Sequence, residues 1–342
     1  MTGSHATSVL TTRLTKFFGI QHPIILAPMT PAAGGVLASA VSDAGALGLL
    51  GGGYGDRAWF EAETAKVTHP RVGCGFITWS VTPDVELFDR ALAQRPTAMM
   101  LSFGDPASLG ARVKKLGVHL ICQVHTIEHA KRAIDIGADV IVAQGTEAGG
   151  HGFSVRSTMP FVPDVVDLCA TRSPKTLVAA AGGIADGRGL AAALMLGADG
   201  VLMGTRFWAT QEALIHEDAK ARVVAASGDD TIRTTVYDVV RQRAWPFPYT
   251  GRLLRNKFVE EWHGREDELG KIQADQLQKV EAASVSGDHD TANVTVGEAI
   301  GLVRDLPTAR ELIDSVVAQA VNRLSASSDL IRTADASLRR VK

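Results

Sequence analysis

Short apolar runs recur along the chain at a regular interval: 23–29, 46–50, 72–78, 98–102, 118–124, 140–143, 176–181 and 200–203. Each is continuous rather than alternating and ends at Gly or a small polar residue, as strands buried on both faces of a parallel sheet do. Between them, 33–44, 58–67, 84–94, 106–116, 127–137 and 188–197 carry apolar positions at helical spacing. Eight strands alternating with helices predict an α/β chain folded as one (β/α)8 TIM barrel. A doubly wound open sheet is the alternative; the count of eight and the placement of the Gly-rich turns favour the barrel. Two units echo each other, Ile136-Gly-Ala-Asp-Val-Ile-Val-Ala-Gln-Gly145 and Leu196-Gly-Ala-Asp-Gly-Val-Leu-Met-Gly-Thr205. In both, a Gly is placed to end a helix in the left-handed conformation and a strand begins at once.

After about 210 the pattern changes. Residues 211–226 read as helix. Trp245-Pro-Phe-Pro-Tyr249 breaks any helix, because two prolines remove donors and restrict their neighbours. Residues 257–284 are polar with helical stretches, and 297–324 read as an amphipathic helical pair. The expected organisation is a disordered tail over 1–12, a barrel over 13–225, and a mostly helical C-terminal extension over 226–342 packing near the barrel mouth. The apolar stripe over 302–321 is expected to pack within the chain rather than on a second subunit, and monomer and homodimer both stay open.

Composition narrows the function classes. A chain of 342 residues with 46% hydrophobic content can bury a large core. Net charge is −2 and the basic residues are scattered, so neither a nucleic-acid nor a membrane partner is expected. The densest basic cluster, Arg241, Arg243, Arg252, Arg255 and Lys257, reads as a solvated helical face. Cys74, Cys122 and Cys169 lie far apart in apolar stretches and read as packing residues of a reducing compartment. With no long apolar span and no basic-then-apolar start, a soluble cytoplasmic protein is expected. His22, His119, His125 and His129 form no metal-ligand grouping with carboxylates, so no metal is expected. Ser80 and Ser102 lack a base and acid partner, which argues against a serine hydrolase.

Functional loops of this architecture follow the strands' C-terminal ends, and four such turns are unusual. Ala27-Pro-Met-Thr-Pro31 lets a flat ligand approach the backbone. Gln144-Gly-Thr-Glu-Ala-Gly-Gly-His151 combines exposed N–H groups and freedom for positive φ with Gln144, able to reach a heterocycle edge, and His151, able to exchange protons near neutral pH. Ala181-Gly-Gly-Ile-Ala-Asp-Gly-Arg188 and Met203-Gly-Thr-Arg206 fall where barrels build a phosphate site from their last two loops and a helix N-terminus. Gly182 and Gly183 bring N–H groups close to phosphate oxygens, and Asp186 reads as a helix N-cap. Gly51-Gly-Gly-Tyr-Gly55 is expected to loop above the mouth, and Trp245, Phe247, Tyr249 and Phe258 to shape the pocket. No G-x-G-x-x-G turn with a downstream acid is present, so a Rossmann nucleotide site is not supported.

This set of turns, with Pro23-Ile-Ile-Leu-Ala-Pro-Met29, resembles the nitronate monooxygenase family, formerly called 2-nitropropane dioxygenases, from 18 to 206 with a weaker echo over 297–320. FMN-dependent enoyl-carrier-protein reductases and NADH:quinone reductases share nearly the same turns. The resemblance implies FMN as cofactor, with Ala27 and Met29 along the flavin, Gln144 at its edge, Gly149 and Gly150 beside it, and Gly182, Gly183, Met203, Gly204 and Thr205 at its phosphate. It implies His151 as the catalytic histidine. Many relatives carry Gly-Val-Asn after the third strand; here Gly75-Phe-Ile-Thr-Trp79 gives that role to Thr78. Gly152-Phe153 stands where Arg-Gly is common. The implied reaction is oxidation of alkyl nitronates by FMN and O2 to a carbonyl compound and nitrite, through a flavin semiquinone. The alternatives are an NAD(P)H-dependent FMN reductase acting on quinone or enoyl thioester, and a flavin-binding barrel with little catalysis.

Overall fold

The computed structural model describes residues 10–331. Residues 1–9 of the expected tail and 332–342 of the expected extension lie outside the described residues. Leu10 packs against the core, and Thr12 caps the first helix, Arg13–Phe18, in a reciprocal box with Thr15. Ordered structure therefore starts before the expected barrel boundary.

Strands β1 (Ile24–Leu26), β2 (Gly48–Gly53), β3 (Val72–Ile77), β4 (Ala98–Ser102), β5 (His119–Val124) and β6 (Val140–Gln144) follow the first six apolar runs. After a short β7 (Gly150–Gly152), β8 (Leu177–Ala181) and β9 (Gly200–Met203) follow the last two. Apart from β7 these form one parallel sheet in the order β1-β9-β8-β6-β5-β4-β3-β2. Leu26 N–H donating to Leu47 O (2.9 Å) and Leu47 N–H to Ile24 O (3.0 Å) bring β1 to the approach of β2 and close the barrel. Alternation along each strand splits the core in two. Ile25, Leu49, Met100, Ile121, Val140, Val142 and Leu177 fill the interior, with Leu14 and Phe18 of the first helix plugging its base. Ile24, Leu26, Met99, Leu101 and Ile141 face the surrounding helices.

The echoed Gly-Ala-Asp segments are one device used twice. Gly137 (φ 76°) and Gly197 (φ 93°) stop their helices in the left-handed region. The aspartates then reach across to the neighbouring strand: Asp139 accepts from Leu120 N–H at 2.8 Å and Asp199 from Val178 N–H at 2.9 Å.

The C-terminal third departs from the expected helical extension in two ways. Strands β10 (Thr231–Thr234) and β11 (Thr250–Leu254) join β7 in an antiparallel sheet, order β10-β11-β7. Val236, Tyr237, Val240, Leu253, Phe258, Trp262 and Val280 make a separate small core behind it. The last long helix, Ala309–Ser325, then returns to the barrel, packing on the helices Gly187–Met195 and Gly35–Asp43. It fills the last place in the outer ring, so the barrel is interrupted rather than followed by the inserted chain; of the stripe over 302–321, Leu312, Ile313, Val316, Val317 and Ala320 are buried within the chain, while Leu302 stays exposed. Within the expected helix over 211–226, only Glu217–Ala225 is helical. Among the described residues no helix is long and apolar enough to cross a membrane.

Candidate active site

The C-terminal ends of the strands open into a cavity of about 600 Å³ that runs outward beneath the inserted sheet. That volume suits a cofactor-sized ligand. Ala27, Met29, Gln144, Gly149, Gly150, His151, Gly182, Gly183, Gly204 and Thr205 all line it. The turns singled out in the sequence, separated by up to 178 positions between Ala27 and Thr205, meet in one place.

Two expected residues do not line it. Thr78 is buried at the start of the helix Thr78–Val81, and Ile77 lines the cavity instead. Met203 packs into the layer between strands and helices, because its position in β9 points outward. Its carbonyl accepts from Ala27 N–H at 2.9 Å, tying the first and last strand ends together. Arg206 also turns away and is buried against Asp305.

The floor suits an anionic group. Gly182 (φ 102°) and Gly183 (φ 74°) adopt backbone that other residues rarely take. Gly182 N–H continues the β8–β9 ladder, in which Ala181 pairs with Leu202, while Gly183 N–H has no acceptor among the described residues. A Cβ on Gly204 would stand 3.2 Å from Met29 Sδ, so the first and last loops approach closely there. The loop holding Gly149 is fixed by protein: a Cβ there would meet Gly297 N at 2.5 Å, and Gly297 N–H in turn donates to Thr205 Oγ1 at 2.8 Å. Glu147, inside the same loop, caps the helix Thr158–Arg172 by accepting from Thr158 N–H at 2.9 Å. The unpartnered Gly183 donor, with Gly182 and the Gly204–Thr205 turn beside it in a cavity of this size, fits a phosphate-bearing cofactor.

The strand ends carry a chain of polar side chains that the sequence reading largely missed. Ser102 Oγ donates to Gln123 Oε1 at 3.3 Å, and Gln123 Nε2 donates to Gln144 Oε1. His125 Nε2 lies 3.1 Å from the same oxygen. Burial drives the His125 pKa down to about 3, so the ring is neutral and its Nε2–H faces the Gln144 oxygen. Gln144 Nε2 in turn donates to the His151 carbonyl at 3.0 Å. Ser102 ends one apolar run and Gln123 is the last residue but one of another, and a polar residue at that place is the signal that could have found them.

His151 sits on β7, paired with Gly251 of β11. Its Nε2 lies 3.0 Å from both carboxylate oxygens of Asp238, and its ring stacks on Trp245 with centroids 3.5 Å apart and planes 7° from parallel. Arg233 holds the loop beneath: its guanidinium donates to the carbonyls of Thr146 (3.0 Å), Gly152 (3.2 Å) and Thr250 (2.8 Å). Burial, together with the nearby Arg252, lowers the Arg233 pKa to about 10.

The basic cluster is not a solvated helical face. Arg241, Arg243 and Arg252 line the cavity, and only Arg255 and Lys257 stay outside on the surface. Arg241 donates to Asn293 Oδ1 at 2.6 Å and Arg243 lies over the Tyr54 ring, neither facing a carboxylate partner in an ion pair. The aromatic segment divides: Trp245 and Tyr249 turn inward, Phe258 joins the small core, and Phe247 is 97% exposed. Burial pushes the Tyr54 and Tyr249 phenols up to about 12, so both stay neutral near pH ~7. The Gly-rich end of β2 also reaches the cavity, through Gly53 and Tyr54.

Comparison with known proteins follows the same outline. The sequence profile of the nitronate monooxygenase family matches residues 11–71 and 76–319. A nitronate monooxygenase of Neurospora crassa is 31% identical over 92% of this chain and 93% of its own. A (3aS,4S,5R,7aS)-5-hydroxy-7a-methyl-1-oxo-octahydro-1H-indene-4-carboxyl-CoA dehydrogenase of Mycobacterium tuberculosis is 31% identical over 94% of this chain and 99% of its own. Among solved structures, FabK from Thermotoga maritima superposes with a TM-score of 0.82 at 29% identity, covering 94% of this chain and all of that one.

Proposed function

The chain belongs to the nitronate monooxygenase family and is a flavin-dependent oxidoreductase, and on that premise we propose that it oxidises alkyl nitronates with FMN and O2 to carbonyl compounds and nitrite. The observation that carries this reading is the convergence in one cavity of an open glycine N–H at Gly183, the histidine His151 paired with a carboxylate, and two arginines, Arg241 and Arg243, outside any ion pair.

The phosphate of FMN would lie against the Gly183 N–H, with Gly182 and the Gly204–Thr205 turn beside it. The ring would run over Ala27 and Met29, with the Gln144 amide at its edge and Gly149 and Gly150 alongside. When bound, FMN supplies the redox chemistry: it takes electrons from the substrate and passes them to O2. The protein does the rest. Arg241 and Arg243, neither of them in an ion pair, bring positive charge to the cavity, which favours an anionic nitronate over its neutral acid. Trp245, Phe103 and Tyr249 pack edge to face beside His151 and limit water there. His151 accepts the carbon-bound proton of a neutral nitroalkane, or, protonated, holds the anionic nitro group.

The test compares His151→Asn on a neutral nitroalkane and on the preformed nitronate. The reading predicts a loss in kcat/KM of about 10²-fold or more on the neutral acid and a much smaller loss on the nitronate. Equal loss on both would remove the base role. A second reading, NAD(P)H-dependent FMN reduction with quinone or enoyl thioester as acceptor, draws on the likeness to the CoA-thioester dehydrogenase and on Arg243, exposed at the rim and suited to a phosphate-bearing substrate. Rapid anaerobic bleaching of the flavin by NADH or NADPH would favour it.

A further inference from the structure

The imidazole of His151 has two different nitrogens, and the surroundings assign each a role. Nε2 faces both oxygens of Asp238 at 3.0 Å. An ionised carboxylate only accepts hydrogen bonds, so the ring beside it must carry its proton on Nε2. Nδ1 has no partner among the described residues, yet it is not one of the buried unsatisfied atoms; it is open to the cavity side. Ring reversal, which would exchange the two, is opposed by the parallel Trp245 ring at 3.5 Å. The backbone under the ring is also held, by Gln144 Nε2 on the His151 carbonyl and by strand pairing to Gly251.

Asp238 is held in turn. It lies in the helix Val236–Val240, and Arg243 N–H donates to its carbonyl at 2.8 Å. Besides Asp238, the charged groups lining the same cavity are Glu147, Arg241, Arg243 and Arg252, the last paired with Glu298 at 2.8 Å. Histidine and partner thus come from different parts of the fold, 87 positions apart, and the pair exists only where the inserted sheet docks on the barrel loop.

We propose that Asp238 is the positioning residue of His151: it keeps the imidazole proton on Nε2 and leaves the Nδ1 lone pair to take the proton of a neutral nitro substrate. The C–H bond breaks, its electron pair moves into the nitro group to give the nitronate, the proton bonds to Nδ1, and the imidazolium formed rests against the Asp238 carboxylate. This rests on the reading of His151 as the base.

The experiment uses the full-length holoprotein with ring-¹⁵N histidine, reading the His151 tautomer by long-range ¹H–¹⁵N correlation. The wild type should show Nε2–H. In Asp238→Asn the new amide can donate to Nε2, so the Nδ1–H form should grow in. In the same variant kcat/KM for nitroethane should fall about 10²-fold or more, with ethylnitronate little changed. Asp238→Glu, which keeps the carboxylate, should recover the Nε2–H signal and part of the nitroethane activity, and it serves also if the Asn variant folds poorly. An unchanged tautomer together with an unchanged ratio between the two substrates in Asp238→Asn overturns the proposal. If His151→Asn itself spares nitroethane turnover, the base reading is what fails, and the inference falls with it.

Discussion

Adding one methyl group to Gly183 separates a cofactor cradle from an ordinary tight turn. Gly183 has φ 74°, and a Cβ there would find only Glu147 Cβ at 3.5 Å and Cγ at 3.7 Å, which is normal contact. Gly183→Ala therefore costs backbone strain and little else in the protein, about 1–2 kcal/mol for an L residue in the left-handed region. An unfolding entropy of about 2.1 cal/mol/K per residue turns 1.5 kcal/mol into a fall in Tm of about 2 °C for a chain of 342 residues. Gly117 provides the control. It has φ 68°, with nothing within 4 Å of its would-be Cβ, and it precedes β5 at the far end of the barrel from the mouth. Gly117→Ala should lose the same stability. Only Gly183→Ala should weaken FMN binding, because its methyl group stands beside the N–H assigned to phosphate. Loss of one hydrogen bond to a charged group, about 1.5–3 kcal/mol, corresponds to roughly 10- to 100-fold in Kd. The assay is quenching of FMN fluorescence on titration of the apoproteins, beside thermal melts of the same samples. Equal Kd values for the wild type and Gly183→Ala, or equal weakening in both variants, would refute the phosphate assignment.

Two other expectations concern the scaffold of the site. The folded pKa of His125 is depressed by burial to about 3 against an ordinary 6.5, so the unfolded chain binds a proton that the folded one refuses. Stability from this source is complete above pH ~6.5 and is lost as pH falls from there toward ~3. In urea unfolding the wild type should lose about 2 kcal/mol more than His125→Gln between pH ~7 and ~5; parallel losses would show that His125 is not buried neutral. Arg233→Lys keeps the charge but cannot span the carbonyls of Thr146, Gly152 and Thr250, so unfolding free energy should drop by about 1–3 kcal/mol and amide exchange over 145–152 should speed up. Wild-type exchange in that variant would mean that the loop is held by other contacts.

The barrel was legible because each of its strands is buried on both faces and so reads as an unbroken apolar run. The inserted sheet carries no such mark. β7 is Gly-His-Gly, β10 is Thr-Ile-Arg-Thr and β11 contains Arg252, so their pairing is decided by tertiary contact rather than by pattern. The same blindness misassigned the basic cluster: an arginine facing a ligand cavity and one facing water look alike in sequence. The glycine turns and His151 were readable as local motifs, and they do meet in space. Asp238 was not, since nothing near it points to a partner 87 positions away. Prolines in 245–249 announced the break in helix, but only packing shows that Trp245 turns to His151 while Phe247 faces solvent.

The most direct test of the central claim is the visible spectrum of the purified protein, followed by anaerobic addition of an alkyl nitronate. The account predicts oxidised-flavin bands released by denaturation as FMN, a prompt change in those bands on mixing with nitronate, and nitrite with a carbonyl product once O2 is admitted. A protein that neither carries flavin nor binds added FMN would contradict the cradle at Gly182 and Gly183, and a bound flavin whose spectrum ignores nitronate would contradict the proposed reaction.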